Sequence, residues 1–133
     1  MRLVLLLYNF GAPLTSEELF VYDFVVTYGR EFGLTDVSLN GDSEFTLSKA
    51  TLRRKRVMES VSYLVRNGYA KPVMAKSETK FVLTDKGNEF YKKISVTGYS
   101  EKYILTMELG KKELFYKGDK ALDLILARIK EDD

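Results

Sequence analysis

The chain has 133 residues, 45% hydrophobic and 30% charged, which is enough apolar material for one core and too much for a disordered segment. It contains no Cys, no His and no Trp. Those absences exclude disulfides, thiolate or imidazole zinc sites, a cysteine nucleophile and a Ser-His-Asp triad, and a cysteine-free chain fits a reducing cytoplasm. The formal net charge is only +2, but it is unevenly spread. Residues 1–48 carry two basic residues (Arg2 and Arg30) against seven acidic ones, a balance of −5, and residues 49–133 carry nineteen against twelve, a balance of +7. Such a separation suits a module with different faces for different partners.

Met1–Leu7 is an apolar run too short for a signal sequence and lacks a small-residue cleavage site. No stretch reaches the roughly 20 apolar residues of a membrane span. The expectation is a cytoplasmic chain with a buried first helix over residues 3–10, broken by Gly11-Ala12-Pro13. Thr15 followed by Glu18 predicts a capping box, with Leu14 and Leu19 spaced as a hydrophobic staple. The second helix should then run from about Ser16 to Phe32, ended by Gly33. Asp23 stands in the middle of its apolar residues. Buried, it needs a partner, and Arg53 or Arg54 is the natural one; half-exposed, it needs none. The pair Asp23–Arg54 is the expected structural ion pair.

Residues 34–47 read as a long connection with a turn at Asn40-Gly41-Asp42-Ser43. A third helix should begin near Ser48 and stop at Asn67-Gly68, with Ala50, Val57, Val61, Leu64 and Val65 as its core stripe. Its start holds Lys49 and Arg53-Arg54-Lys55-Arg56, five cations with no acid among them. Four consecutive residues cover a full helical turn, so they cannot share one face. Arg54 falls close to the core stripe and must snorkel or pair with an acid. Arg53, Lys55 and Arg56 are candidates for phosphate contacts, or else a solvated helix start. Farther along, the exposed positions Glu59, Ser62, Tyr63 and Arg66 carry no base-reading signature.

Residues 69–75 and 80–84 predict a hairpin turning through Lys76–Thr79, with Pro72 marking an edge or a bulge. Lys76 and Lys80 are further phosphate-contact candidates, although edge strands also carry Lys to block aggregation. A helix capped by Thr84 should follow, to about Ile94. Residues 98–131 predict two amphipathic helices parted at Gly110 or Gly118. Their apolar residues Tyr99, Tyr103, Met107, Leu122, Ile125, Leu126 and Ile129 are candidates for dimerisation or partner docking, the alternative being that they pack back on their own domain. Glu17-Glu18 is explained by capping, the nine glycines form no phosphate loop, and no cofactor or metal is expected. The reading is an α+β, mainly α chain: a winged-helix-type domain over residues 1–96 and a C-terminal helical extension over 97–133.

Five phrases, in their order, carry a family resemblance. They are Leu5–Thr15, Glu18–Phe24 with its mid-helix Asp23, the basic helix Leu52–Gly68, the hairpin exit Phe81–Gly87, and Gly98–Tyr103. Over residues 3–110 the chain resembles the middle component of bacterial ABC three-component systems, in which a small winged-helix protein accompanies a large Rad50- or SMC-like ATPase and an effector. The resemblance implies a non-catalytic accessory subunit that bridges the ATPase to the effector, to double-stranded DNA, or to both, in an anti-phage or anti-plasmid defence complex. It carries no catalytic residues to transfer. The alternative from the residues alone is a stand-alone, dimeric winged-helix transcriptional regulator.

Overall fold

The computed structural model describes residues 2–28 and 47–113, together with Asp123 and Ala127, both helical. Among these residues the chain is α+β and mainly α. In order it forms α1 (Arg2–Phe10), β1 (Leu14–Thr15), α2 (Ser16–Thr27), α3 (Leu47–Arg66), β2 (Ala70–Ala75), β3 (Glu78–Leu83), α4 (Asp85–Ile94) and α5 (Gly98–Glu113). α2 stops at Thr27, where Tyr28 leaves the helical conformation as its C-cap, short of the expected end near Phe32. The expected turn at 40–43, Gly33, and Leu122, Ile125, Leu126 and Ile129 lie outside the described residues.

α2 begins where the sequence places it. Thr15 accepts from the Glu18 amide at 3.0 Å and the Glu18 carboxylate accepts from the Thr15 amide at 3.0 Å, so the capping box is complete. Beyond its first turn the helix has no solvent face: Leu19 through Thr27 are all buried. A helix apolar on every side belongs at the centre of a core. α1, α3 and α5 pack around it, so Leu5, Leu6, Phe20, Phe24, Val57, Tyr103 and Met107 share one cluster. Each fully buried Leu or Phe contributes about 1.5–3 kcal/mol.

The sheet holds a strand that periodicity does not reveal. β1 is two residues long and pairs antiparallel with β3, Leu14 opposite Phe81 and Thr15 opposite Lys80. β3 pairs on its other side with β2, from Ala70 opposite Leu83 to Ala75 opposite Glu78, so the order is β1-β3-β2. β2 is thus an edge strand, where Pro72 does least harm. The hairpin closes through two residues rather than four. Lys76 and Ser77 have φ of 51° and 67°, the double left-handed turn whose twist matches antiparallel strands.

α3, the hairpin and α4 are fastened at one point. Gly68 takes φ 77° after α3, and the Tyr69 amide reaches back to the Leu64 carbonyl at 2.8 Å. Thr84 donates its hydroxyl to the Gly68 carbonyl and accepts from the Gly87 amide at 3.2 Å, capping α4. Gly87 is buried against this junction, and a Cβ there would sit 2.1 Å from the Tyr69 carbonyl oxygen.

α5 departs from expectation. Tyr103 and Met107, expected as partner-facing, are fully buried against α1 and α2. Lys111 Nζ donates to the Asn9 carbonyl at 3.0 Å and ties the far end of α5 to α1. Among the described residues the expected boundary at 96/97 therefore separates no second packing unit: α5 completes the core because α2 needs a cover on that side.

Gly87→Ala should cost at least about 2–3 kcal/mol, since backbone and not a side-chain tip blocks the methyl. Gly68→Ala, limited to the left-handed φ, should cost about 1–2 kcal/mol. Urea unfolding followed by circular dichroism reads both, and equal losses would contradict the junction described here.

Candidate functional site

Two features of this fold could serve a partner: the cations of α3 and the hairpin, and a cleft beneath which Asp23 is buried.

The cations are dispersed. Val57, Val61 and Leu64 bury one face of α3. At 100° per residue, Lys55, Glu59 and Arg66 lie opposite that face, while Arg54 and Arg56 fall on its two flanks. Arg54 bonds the Glu17 carboxylate of α2, and its guanidinium stacks over the Phe20 ring at 4.3 Å. Of the two expected fates of Arg54, snorkelling or pairing with an acid, it pairs, but its partner is Glu17 and not the expected Asp23. Arg54 meets the first turn of α2, whereas Asp23 lies farther along that helix and is met by Arg2. Of the nucleic-acid candidates, Lys55 and Arg56 are exposed and Arg53 is half-buried. Lys76 is exposed at the hairpin turn, and Lys80 is half-buried on the central strand, opposite both Thr15 and Val73. Glu59 is exposed on the outward face of α3, among Lys55 and Arg66.

Asp23 is fully buried. Its Oδ1 accepts from the Tyr103 hydroxyl at 2.8 Å and lies 3.5 Å from Arg2 Nε, while Oδ2 is buried with no hydrogen-bond partner among the described residues. The counter-ion is therefore Arg2 from α1. Burial by itself would lower the Arg2 pKa, but Asp23 and a hydrogen bond with Tyr99 outweigh it, and the net shift is upward. Burial, with the Asp23 charge second, pushes the Tyr103 hydroxyl well above the ordinary tyrosine range, so it stays a donor. Sequence reasoning found Asp23 but missed Arg2. The available signal was that the acidic half of the chain holds just two cations, Arg2 and Arg30.

Over this cluster opens a cleft of about 370 Å³ between α1, α2, α3 and α5. Arg2, Asp23, Arg56, Ser60 and Tyr99 supply its polar lining, and Leu3 and Val57 its apolar wall. Of the predicted residues, Arg56 and Tyr99 meet here, although they were assigned to different partners. Tyr99 is half-buried and stacks with Tyr103 at 6.5 Å between ring centroids. Ser60 carries no sequence signal of its own.

Among the described residues there is no cluster of potential metal ligands and no helix long and apolar enough to cross a membrane.

Tyr103→Phe should cost about 1–3 kcal/mol, because it removes a buried carboxylate's hydrogen bond. The raised Tyr103 pKa gives a second expectation. Its stabilising effect is fully present below about pH 10, the unfolded tyrosine value, and is lost as pH rises toward the higher folded value. Thermal melts against pH should show a smaller alkaline loss for Tyr103→Phe than for the parent. Identical alkaline slopes would exclude Tyr103 as the titrating group.

A family model described as "ABC-three component (ABC-3C) system Middle Component 2" matches residues 1–131. The match extends beyond the 3–110 stretch that carries the motifs, into the C-terminal residues. No curated protein and no solved structure matches the chain.

Proposed function

Because this chain belongs to the Middle Component 2 family of ABC-three component systems, and so has protein partners, we propose that it is a non-catalytic accessory subunit bridging a Rad50- or SMC-like ATPase to an effector, in a bacterial anti-phage or anti-plasmid defence complex. The observation that carries this reading is the family match along nearly the whole chain, from α1 to beyond α5. The absence of His and Cys from the sequence supports a role without catalysis. We read residues 2–94 as a winged helix. Helices, a hairpin and a further helix follow in that order, with β1 added to the hairpin. The reading places the protein in the cytoplasm, with its partners.

Since α5 closes the core, the partner surface moves to what α5 leaves outside. Leu105 on α5 is 66% exposed, Val96 just before it 75%, and Tyr63 on α3 54%. The expected docking role of Tyr103 and Met107 is withdrawn, and Tyr99 keeps a half-exposed place in the cleft.

The alternative is a stand-alone, dimeric DNA-binding regulator. Exposed Lys55, Arg56, Arg66 and Lys76 favour it, and Glu59 among them weakens it, because a carboxylate repels phosphate.

Co-expression of the system's components, with affinity capture of the ATPase after nuclease treatment, separates the two. Retention of this chain in fixed stoichiometry is the expected outcome. A free homodimer that binds duplex DNA, with affinity falling steeply with salt and insensitive to the other components, would replace the first reading with the second. Lys55→Glu with Arg66→Glu should leave retention by the ATPase complex unchanged, and should abolish duplex binding if the regulator reading holds.

A further inference from the structure

The cleft above Asp23 has a charge balance that selects its occupant. Arg2 and Arg56 each bring a positive charge and Asp23 brings a negative one, leaving one positive charge in excess. Asp23 is already engaged by Arg2 and Tyr103. Arg56 is exposed and pairs with no acid among the described residues. The Ser60 and Tyr99 hydroxyls add donors to the lining. A monoanion therefore brings the cleft to neutrality, whereas a nucleic-acid duplex would have to press a phosphate and its rigid flanks into a concave space toward a buried carboxylate. Planar guanidinium groups match a carboxylate in two-pronged geometry. Leu3 and Val57 provide an apolar wall for a methylene stem, and a volume of about 370 Å³ accepts one such side chain with its adjoining backbone.

We propose that this cleft is a docking socket for an acidic side chain of a partner polypeptide, held by Arg56 with Arg2, Ser60 and Tyr99. Asp23 is a positioning residue in it. The carboxylate anchors the Arg2 guanidinium at the cleft floor through Oδ1. The occupant's class rests on the accessory-subunit reading; the cleft's chemistry does not.

The test uses the full chain and three probes: N-acetyl-glutamic acid α-amide, its neutral glutamine counterpart, and inorganic phosphate. The expected result in two-dimensional nitrogen–proton NMR is a saturable shift of the Arg2, Ser60 and Tyr99 amides with the carboxylate compound, absent with the glutamine compound and weaker with phosphate. Arg56→Gln should weaken binding by about tenfold, the scale of one charge-assisted contact. Lys93→Gln, an exposed cation on α4, should not. Equal shifts with the neutral compound, tighter binding of phosphate, or an unaffected Arg56→Gln variant would each overturn the socket. In the co-expressed complex, Arg56→Glu should lose retention that the parent chain shows, and equal retention would likewise overturn it. A parent chain that is not retained, alongside shifts that obey the carboxylate pattern, would sink the subunit reading alone.

Discussion

A carboxylate in the middle of a helix with no solvent face is the constraint around which this molecule is arranged. Asp23 lies among nine consecutive buried residues of α2. A lone ion there would cost several kcal/mol. It is tolerated because Arg2 reaches it from α1, the preceding helix, and Tyr103 from α5, far along the chain. The same apolar surround that makes α2 buried therefore dictates that two of its covering helices, α1 and α5, bring a polar group to one point. This specifies how α1 and α5 seat, which an apolar contact alone would leave freer.

The second fixed point has a different origin. Around Gly68, Tyr69, Thr84 and Gly87 backbone packs closely on backbone, and the Thr84 hydroxyl and the Lys86 ammonium, which donates to the Asn67 carbonyl at 2.8 Å, tie the strands of chain together. That junction sets the hairpin against α3 and α4. The Tyr69 ring packs tilted against Phe90 at 5.0 Å between centroids, and Lys86 Nζ lies 4.7 Å from the Tyr69 centroid. Between the two fixed points runs α3, one face in the core and its cations distributed round the remainder.

That distribution gives the residues of the basic run different surroundings. Helical geometry alone already divides Arg53 to Arg56 among different faces and sets Arg54 near the core stripe. The structure supplies those surroundings. Arg54 clamps α2 through Glu17 and Phe20, Lys55 faces outward, and Arg56 hangs over the Asp23 cleft. A chain within a multi-component system has use for several chemically distinct surfaces, and one helix here contributes to three.

Much of the architecture was legible in the residues. The capping box at Thr15 and Glu18, the glycine stop at Gly68, the hairpin and the Thr84 cap are local chemistry, settled by groups within a few residues of one another. The family's ordered motifs were legible for the same reason, since order along the chain is a property of sequence. The two-residue β1 was not, because two residues have no period and the strand exists only where β3 offers it a ladder. Nor was the fate of Tyr103 and Met107. An amphipathic stripe states that a helix will bury one face, without stating against what, and here the unfilled side of α2 took it. The partner of Asp23 was hidden likewise. Sequence offered Arg54, rich in charge and near the right helix; the tertiary arrangement placed Arg54 beside Glu17 and brought Arg2 to Asp23, because ion pairing depends on distance in space and not on distance along the chain.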